Sequence, residues 1–170
     1  MDIQTQFINE SCTYLALNLP RVKKCIELLT EDEIWHNPGT HTNSIANLIL
    51  HLKGNITQYI LSGLGGIRDT REREKEFTTK SGHTGDELYQ MLETTVLEAI
   101  NVLENLPVEK LTENYSVQGF NITGIGIIIH VTEHFSYHTG QIALITKQLK
   151  NEDLGFYSGL NLNQRNRESR

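Results

Sequence analysis

Four stretches of this chain carry apolar residues at helical spacing, and each is bounded by residues that start or stop a helix. That pattern points to an all-α chain with one core. The first stretch, residues 3–29, places Ile3, Phe7, Tyr14, Leu15, Leu19, Val22, Ile26 and Leu29 at spacings of three, four or seven with one break, and Pro20 predicts a kink. The second starts at Asn43 or Ser44, both good N-caps, runs through Ile45, Leu48, Ile49, Leu52, Ile56 and Ile60, and stops at Gly63, Gly65 and Gly66. In the third, Thr84 and Glu87 form a capping box and Pro107 sets the end. The fourth spans residues 123–149. Gly124 and Gly126 at its start each cost about 1 kcal/mol of helix propensity against Ala, which predicts a close approach of backbone to backbone there.

A chain of 170 residues fits one domain, so residues 1–160 are expected to form a single bundle and 161–170 a polar tail. The segment 64–83 is longer than a tight turn between helices needs and reads as a crossover between the second and third helices. Its run Arg68, Asp69, Arg71, Glu72, Arg73, Glu74, Lys75, Glu76 balances in sign, which predicts a solvated, self-paired loop. Cys12 and Cys25 lie too far apart along one helix to meet and are expected as reduced thiols. A net charge of −6 disfavours a nucleic-acid surface. The start of the chain lacks the pattern of a secretion signal and the longest apolar run, 125–131, is too short for a membrane span, so no membrane partner and a cytoplasmic location are expected.

Among the seven histidines, position separates candidates from surface residues. His130, His134 and His138 recur every fourth residue on the fourth helix. Side chains four apart stand about 5–6 Å apart on one face, near enough for two imidazoles to reach one ion, so 130/134 and 134/138 are both chelating pairs. The outer two are about 12 Å apart along the axis, so one pair must be chosen and a third ligand sought elsewhere. His51, at the edge of the apolar face of the second stretch, is the natural third, because a buried imidazole needs a partner that a metal would supply. His36 and His41 share a loop with Trp35 and Pro38 and are expected at the surface or at a pocket rim, and His83 is expected to be exposed. Phe135 and Tyr137 are expected in the core. His130-Val-Thr-Glu133-His134 also fits the inverted zinc-protease motif H-x-x-E-H, a short pattern that arises easily by chance.

The blocks Asn43-Ser-Ile-Ala-Asn-Leu-Ile-Leu-His51-Leu-Lys-Gly-Asn55 and His130-Val-Thr-Glu-His134-Phe-Ser-Tyr-His138-Thr-Gly-Gln141 resemble the two histidine blocks of the DinB-like, YfiT-like superfamily of metal-dependent enzymes. Arg71-x-Arg73-x-x-Glu76-Phe77 is similar to one branch of it. The resemblance implies a four-helix bundle of up-down-down-up topology with a three-histidine metal site. Carried over by position it selects His51, His134 and His138 as ligands and leaves His130 as a neighbour. Thr139 departs from the arginine usual after the last histidine, so any role of that arginine lapses. Three imidazoles leave a divalent ion with open positions, the form of a catalytic site. Zinc is the default metal and nickel a second candidate.

Characterised relatives include transferases of low-molecular-weight thiols such as bacillithiol. The resemblance therefore implies a transferase joining such a thiol cosubstrate to a small electrophile, with Arg71 or Arg73 available for an anionic thiol carboxylate. Asn55 and Gln141, one turn from His51 and His138, are candidates to steady ligands or touch substrate. The runner-up is a hydrolase using hydroxide generated at the metal, with His130 or Glu133 as base. A non-catalytic metal-binding or dimerisation module is the third reading. Homodimerisation is implied by the family alone.

Overall fold

The computed structural model describes residues 2–166, and its elements are mainly helical. Helix α1 covers Ile3–Leu28, with Asp2 accepting a hydrogen bond from the Thr5 amide at 2.7 Å as its cap. It continues through Pro20. Its buried stripe is Ile8, Cys12, Leu15, Leu19, Val22 and Ile26, whereas Ile3 and Tyr14, both placed on the apolar face by spacing, are 80% and 57% exposed. The short α2 (Glu31–Trp35) opens with a Thr30 and Glu33 capping box.

Helix α3 (Ile45–Ile56) opens on Ser44, which exchanges bonds with Asn47 in a capping box, so the second of the two proposed caps is the one used. The helix does not simply run on to the glycines. From Thr57 to Leu64 the backbone winds more widely, as a π-helix, a form that concentrates at functional sites. Helix α5 (Gly85–Glu104) begins at the Thr84 and Glu87 capping box, and α6 (Gly124–Lys150) begins at Thr123.

Two segments differ from the expectation. The crossover is not all loop: Arg73–Thr78 forms α4, which packs on α3. The chain is also not purely helical, since Asn114–Val117 (β1) and Phe120–Thr123 (β2) form an antiparallel hairpin with Val117 opposite Phe120. Gln118 and Gly119 at its tip both have positive φ, 51° and 82°, the signature of a two-residue type I′ turn. The usual marker there is Asn-Gly or Asp-Gly, and Gln-Gly hid the hairpin from sequence inspection.

Four long helices enclose the core. Helices α1 and α3 each pack against both α5 and α6, and Leu15, Val22, Leu52, Ile56, Leu92, Val96, Phe135 and Ile142 fill the space between them. Phe135 is in that core as expected, but Tyr137 is 56% exposed. Close backbone approach holds for Gly124, where a Cβ would overlap the Lys110 carbonyl; at Gly126 the neighbour is the Ile122 side chain instead. Both cysteines are buried and free. Among the described residues no helix is long and apolar enough to cross a membrane. Of the expected polar tail, 161–166 are exposed and 167–170 lie outside the described residues.

Candidate metal centre

Helix α3 delivers His51 from its buried face, between Leu48 and Leu52 of the core. Helix α6 delivers His134 and His138 from successive turns of the face it turns to α3. One nitrogen from each of these three imidazoles lies within 4.8 Å of the other two. The closest pair is His134 Nε2 and His51 Nε2 at 2.9 Å, somewhat nearer than the ~3.4 Å that bonds of about 2.1 Å at tetrahedral angles would set. The rings meet edge to face, with centroids 5.0 Å apart for His51 and His134 and 4.4 Å for His134 and His138.

What the other ring nitrogens do decides which lone pairs are free. His51 Nδ1–H donates to Glu76 Oε2 at 2.9 Å, and His138 Nδ1–H donates to Gln141 Oε1 at 2.6 Å. In both rings Nε2 is then the unprotonated nitrogen. Burial, reinforced by the neighbouring His138, His51 and His130, pushes the His134 pKa down to about 3. Burial also lowers His138, against an opposing contribution from the Gln141 bond. These rings are neutral at physiological pH, as metal ligation requires. Three convergent imidazoles, two of them with the opposite nitrogen already engaged by a partner, fit a divalent transition metal.

The crossover supplies the partner of His51. Glu76 is 8% exposed and receives Arg71 Nε at 2.7 Å on one oxygen and Arg71 Nη2 at 2.8 Å on the other. Arg71 Nη1 donates onward to Gln58 Oε1 at 2.8 Å. Burial alone would raise the Glu76 pKa, but the bonds from Arg71 and His51 outweigh it and hold the carboxyl below its ordinary range. The prediction of a solvated, self-paired loop is thus corrected for these two residues: the pair is internal to the loop but buried against α3. Two features of α3 make room for it. Asn47 Nδ2 donates to the carbonyls of Glu76 and Thr79 at 2.9 and 2.8 Å, and Gly54 lacks the Cβ that would overlap the Glu76 carboxylate.

The remaining candidates fall around this centre. His130 stacks on His134 with centroids 5.3 Å apart and sits against Tyr59 at 4.4 Å, and Asn55 Nδ2 donates to its Nε2 at 3.3 Å. It is a neighbour of the ligands and not one of the convergent three. Asn55 is buried and its Oδ1 has no partner. Gln141 holds His138 and also donates to the Tyr137 hydroxyl at 3.2 Å. Glu133 lies on the exposed side of α6, where it lines a groove against α1 with Phe7, Tyr14 and Ile129. Arg73 is exposed and its guanidinium covers the Phe77 ring at 4.9 Å, while Phe77 itself stands 4.8 Å from the His51 ring. His41, with Gln141 and Leu48, borders a separate cavity of about 310 Å³ that none of the three convergent histidines lines. Sequence reasoning missed Glu76 as a partner of His51 and missed Gln58 and Gln118 entirely. The only signal for Glu76 was its place in the Arg71-x-Arg73-x-x-Glu76-Phe77 block.

Residues 2–160 match a family described as a protein of unknown function (DUF1572). The chain belongs to this family. Its fold is DinB-like: a DinB-like protein from Bacillus subtilis, YjoA, superposes with a TM-score of 0.62 at 16% identity, over 82% of this chain and 91% of that one. A conserved protein from Enterococcus faecalis gives 0.64 at 15% identity, over 89% and 99%. No protein of curated function matches in sequence. At these identities the likeness is one of fold, and it bears out the DinB-like fold that the resemblance implied.

Proposed function

We propose that this protein is a metal-dependent enzyme in which His51, His134 and His138 hold one divalent ion, zinc by default and nickel as the second candidate, and that it transfers a small thiol of the bacillithiol type to an electrophilic substrate. The observation that carries this reading is the convergence of three imidazole nitrogens within 4.8 Å, two of them with the opposite nitrogen already engaged. A divalent ion with open positions would draw the proton from an incoming thiol or water at neutral pH.

The chain's own groups favour an anionic cosubstrate. Arg71 already spends three of its five N–H donors on Glu76 and Gln58, which makes it the less available of the two arginine candidates. Arg73, stacked on the phenyl ring that borders His51, keeps its guanidinium exposed at the rim and takes the role of holding such a carboxylate. The runner-up, hydrolysis without a thiol, draws on His130, which lies beside His134 with its orientation set by Asn55. The bundle is read as up-down-down-up, the protein as cytoplasmic and homodimeric, with the apolar strip of Tyr14, Leu17, Ile129 and Leu144 on α1 and α6 as the surface for a second copy.

Zinc-loaded protein incubated with a small thiol and an alkylating electrophile tests the reaction. The expected result is metal-dependent thiol consumption that disappears in His134→Ala. Metal-dependent ester or amide cleavage that needs no thiol would replace this reading with the hydrolase, and neither activity in the zinc-loaded wild type would leave a non-catalytic module.

A further inference from the structure

We propose that Glu76 is a positioning residue for His51, and that through it the crossover segment acts as a clasp on the three-histidine centre. The inference rests on the reading of that centre as a metal site.

Glu76 has no freedom to take another role. Its two oxygens are gripped side by side by Arg71 Nε and Nη2, a bidentate arrangement that fixes the plane of the carboxylate as well as its position. Arg71 is fixed in turn from α3's continuation, where Gln58 Oε1 accepts from Nη1 and Gln58 Nε2 donates to Asp69 Oδ2 at 2.8 Å. The other oxygen of Asp69 accepts the Arg71 amide at 3.0 Å, closing the ring. The backbone under Glu76 is held by Asn47. Every one of these ties ends in the bond from His51 Nδ1–H to Glu76 Oε2.

That last bond selects the orientation of the ligand. Arg71 Nη2 lies 3.2 Å from His51 Nδ1, so two donors share one carboxylate oxygen. Were the ring carrying its proton on Nε2, a lone pair on Nδ1 would face the carboxylate at 2.9 Å and the remaining N–H would face His134; were it flipped, Cδ2 would stand against the carboxylate and neither nitrogen would keep its partner. Glu76 therefore holds His51 with its lone pair turned to the shared point of the three imidazoles. A purely structural ion pair would be satisfied by Arg71 alone and would leave His51 indifferent to it.

Zinc affinity and the His51 tautomer at one fixed pH separate the two roles. The protein is purified without nickel affinity and stripped, and zinc chloride is titrated against a competing chelator for the wild type, Glu76→Ala and Glu76→Gln. Loss of a ligand's hydrogen-bond partner is expected to weaken zinc binding by roughly 10–100-fold in Glu76→Ala, with partial recovery in Glu76→Gln, whose amide oxygen still accepts from Nδ1–H. Imidazole ¹⁵N spectra of the metal-free proteins are expected to show the His51 proton on Nδ1 in the wild type and a mixture of tautomers in Glu76→Ala. Amide exchange in residues 69–79 is expected to slow on zinc addition in the wild type and not in Glu76→Ala. Where Glu76→Ala does not fold, Glu76→Gln and the wild-type spectra carry the test. Unchanged zinc affinity together with an unchanged tautomer in a folded variant overturns the proposal. A wild type that binds no zinc refutes the metal reading instead, while the tautomer comparison still decides whether Glu76 sets His51.

Discussion

The three convergent imidazoles have different neighbours: a carboxylate for His51, an amide for His138 and packed imidazoles for His134. This division has a pH signature. The folded pKa of His134, about 3, lies below its ordinary value of about 6.5, so between those values the unfolded chain binds the extra proton and stability falls as pH is lowered. His138 and His130, both lowered chiefly by burial, act with the same sign. Glu76 is a lowered carboxyl, so its contribution is complete above its unfolded pKa and is lost only in more acidic solution. Urea denaturation of metal-free protein is therefore expected to show a midpoint that declines from pH 6.5 to pH 5, before carboxylates titrate, with a shallower decline in His134→Gln. Parallel curves for the two proteins would contradict the assigned shift. The i, i+4 spacing on one helix is local information and made two chelating pairs legible, His51 followed from its place on an apolar face, and the choice of His134 with His138 came from the family resemblance. Glu76 was not. It sits in a run of balanced charges, and which members of that run are buried is decided by docking against Asn47 and Gly54, 29 and 22 residues away along the chain.

Helices and caps were readable from sequence wherever their determinants are local, as at Ser44 and Thr84. The hairpin and the π-helical turn escaped because their reasons are tertiary. Gln118 takes a left-handed backbone conformation and its Oε1 accepts from the Tyr59 hydroxyl at 2.9 Å, while Tyr59, carried by the π-helical turn, stacks on His130. This unusual turn residue ties the hairpin to the edge of the candidate site. The α3–α4 contact has an equally specific requirement. Gly54→Ala inserts a methyl group where the Glu76 carboxylate sits, so either α4 lifts or the Arg71–Glu76 pair breaks. A loss of about 3–5 kcal/mol, the range for disrupting a buried ion pair, is expected in chemical denaturation. A loss below about 0.5 kcal/mol, typical of an indifferent surface change, would show that the crossover does not dock as described.

At the scale of the whole molecule, the bundle brings residues 51, 134 and 138 together only because α3 and α6 share a flank, and the crossover then closes over the α3 side of the centre. The general arrangement was foreseeable, since bundles build metal sites from facing helices, but the participation of the crossover was not. If the centre is a metal site, zinc at about 100 times its dissociation constant stabilises the fold by about 2.7 kcal/mol through preferential binding to the native state. The most direct test of the account is elemental analysis of the wild type and His134→Ala, both purified without nickel affinity and re-equilibrated with zinc. The account predicts about one equivalent of metal per chain in the wild type and little in the variant, because His134 is the ligand that neither chelating arrangement on α6 can spare. Equal metal content in two folded proteins would contradict it.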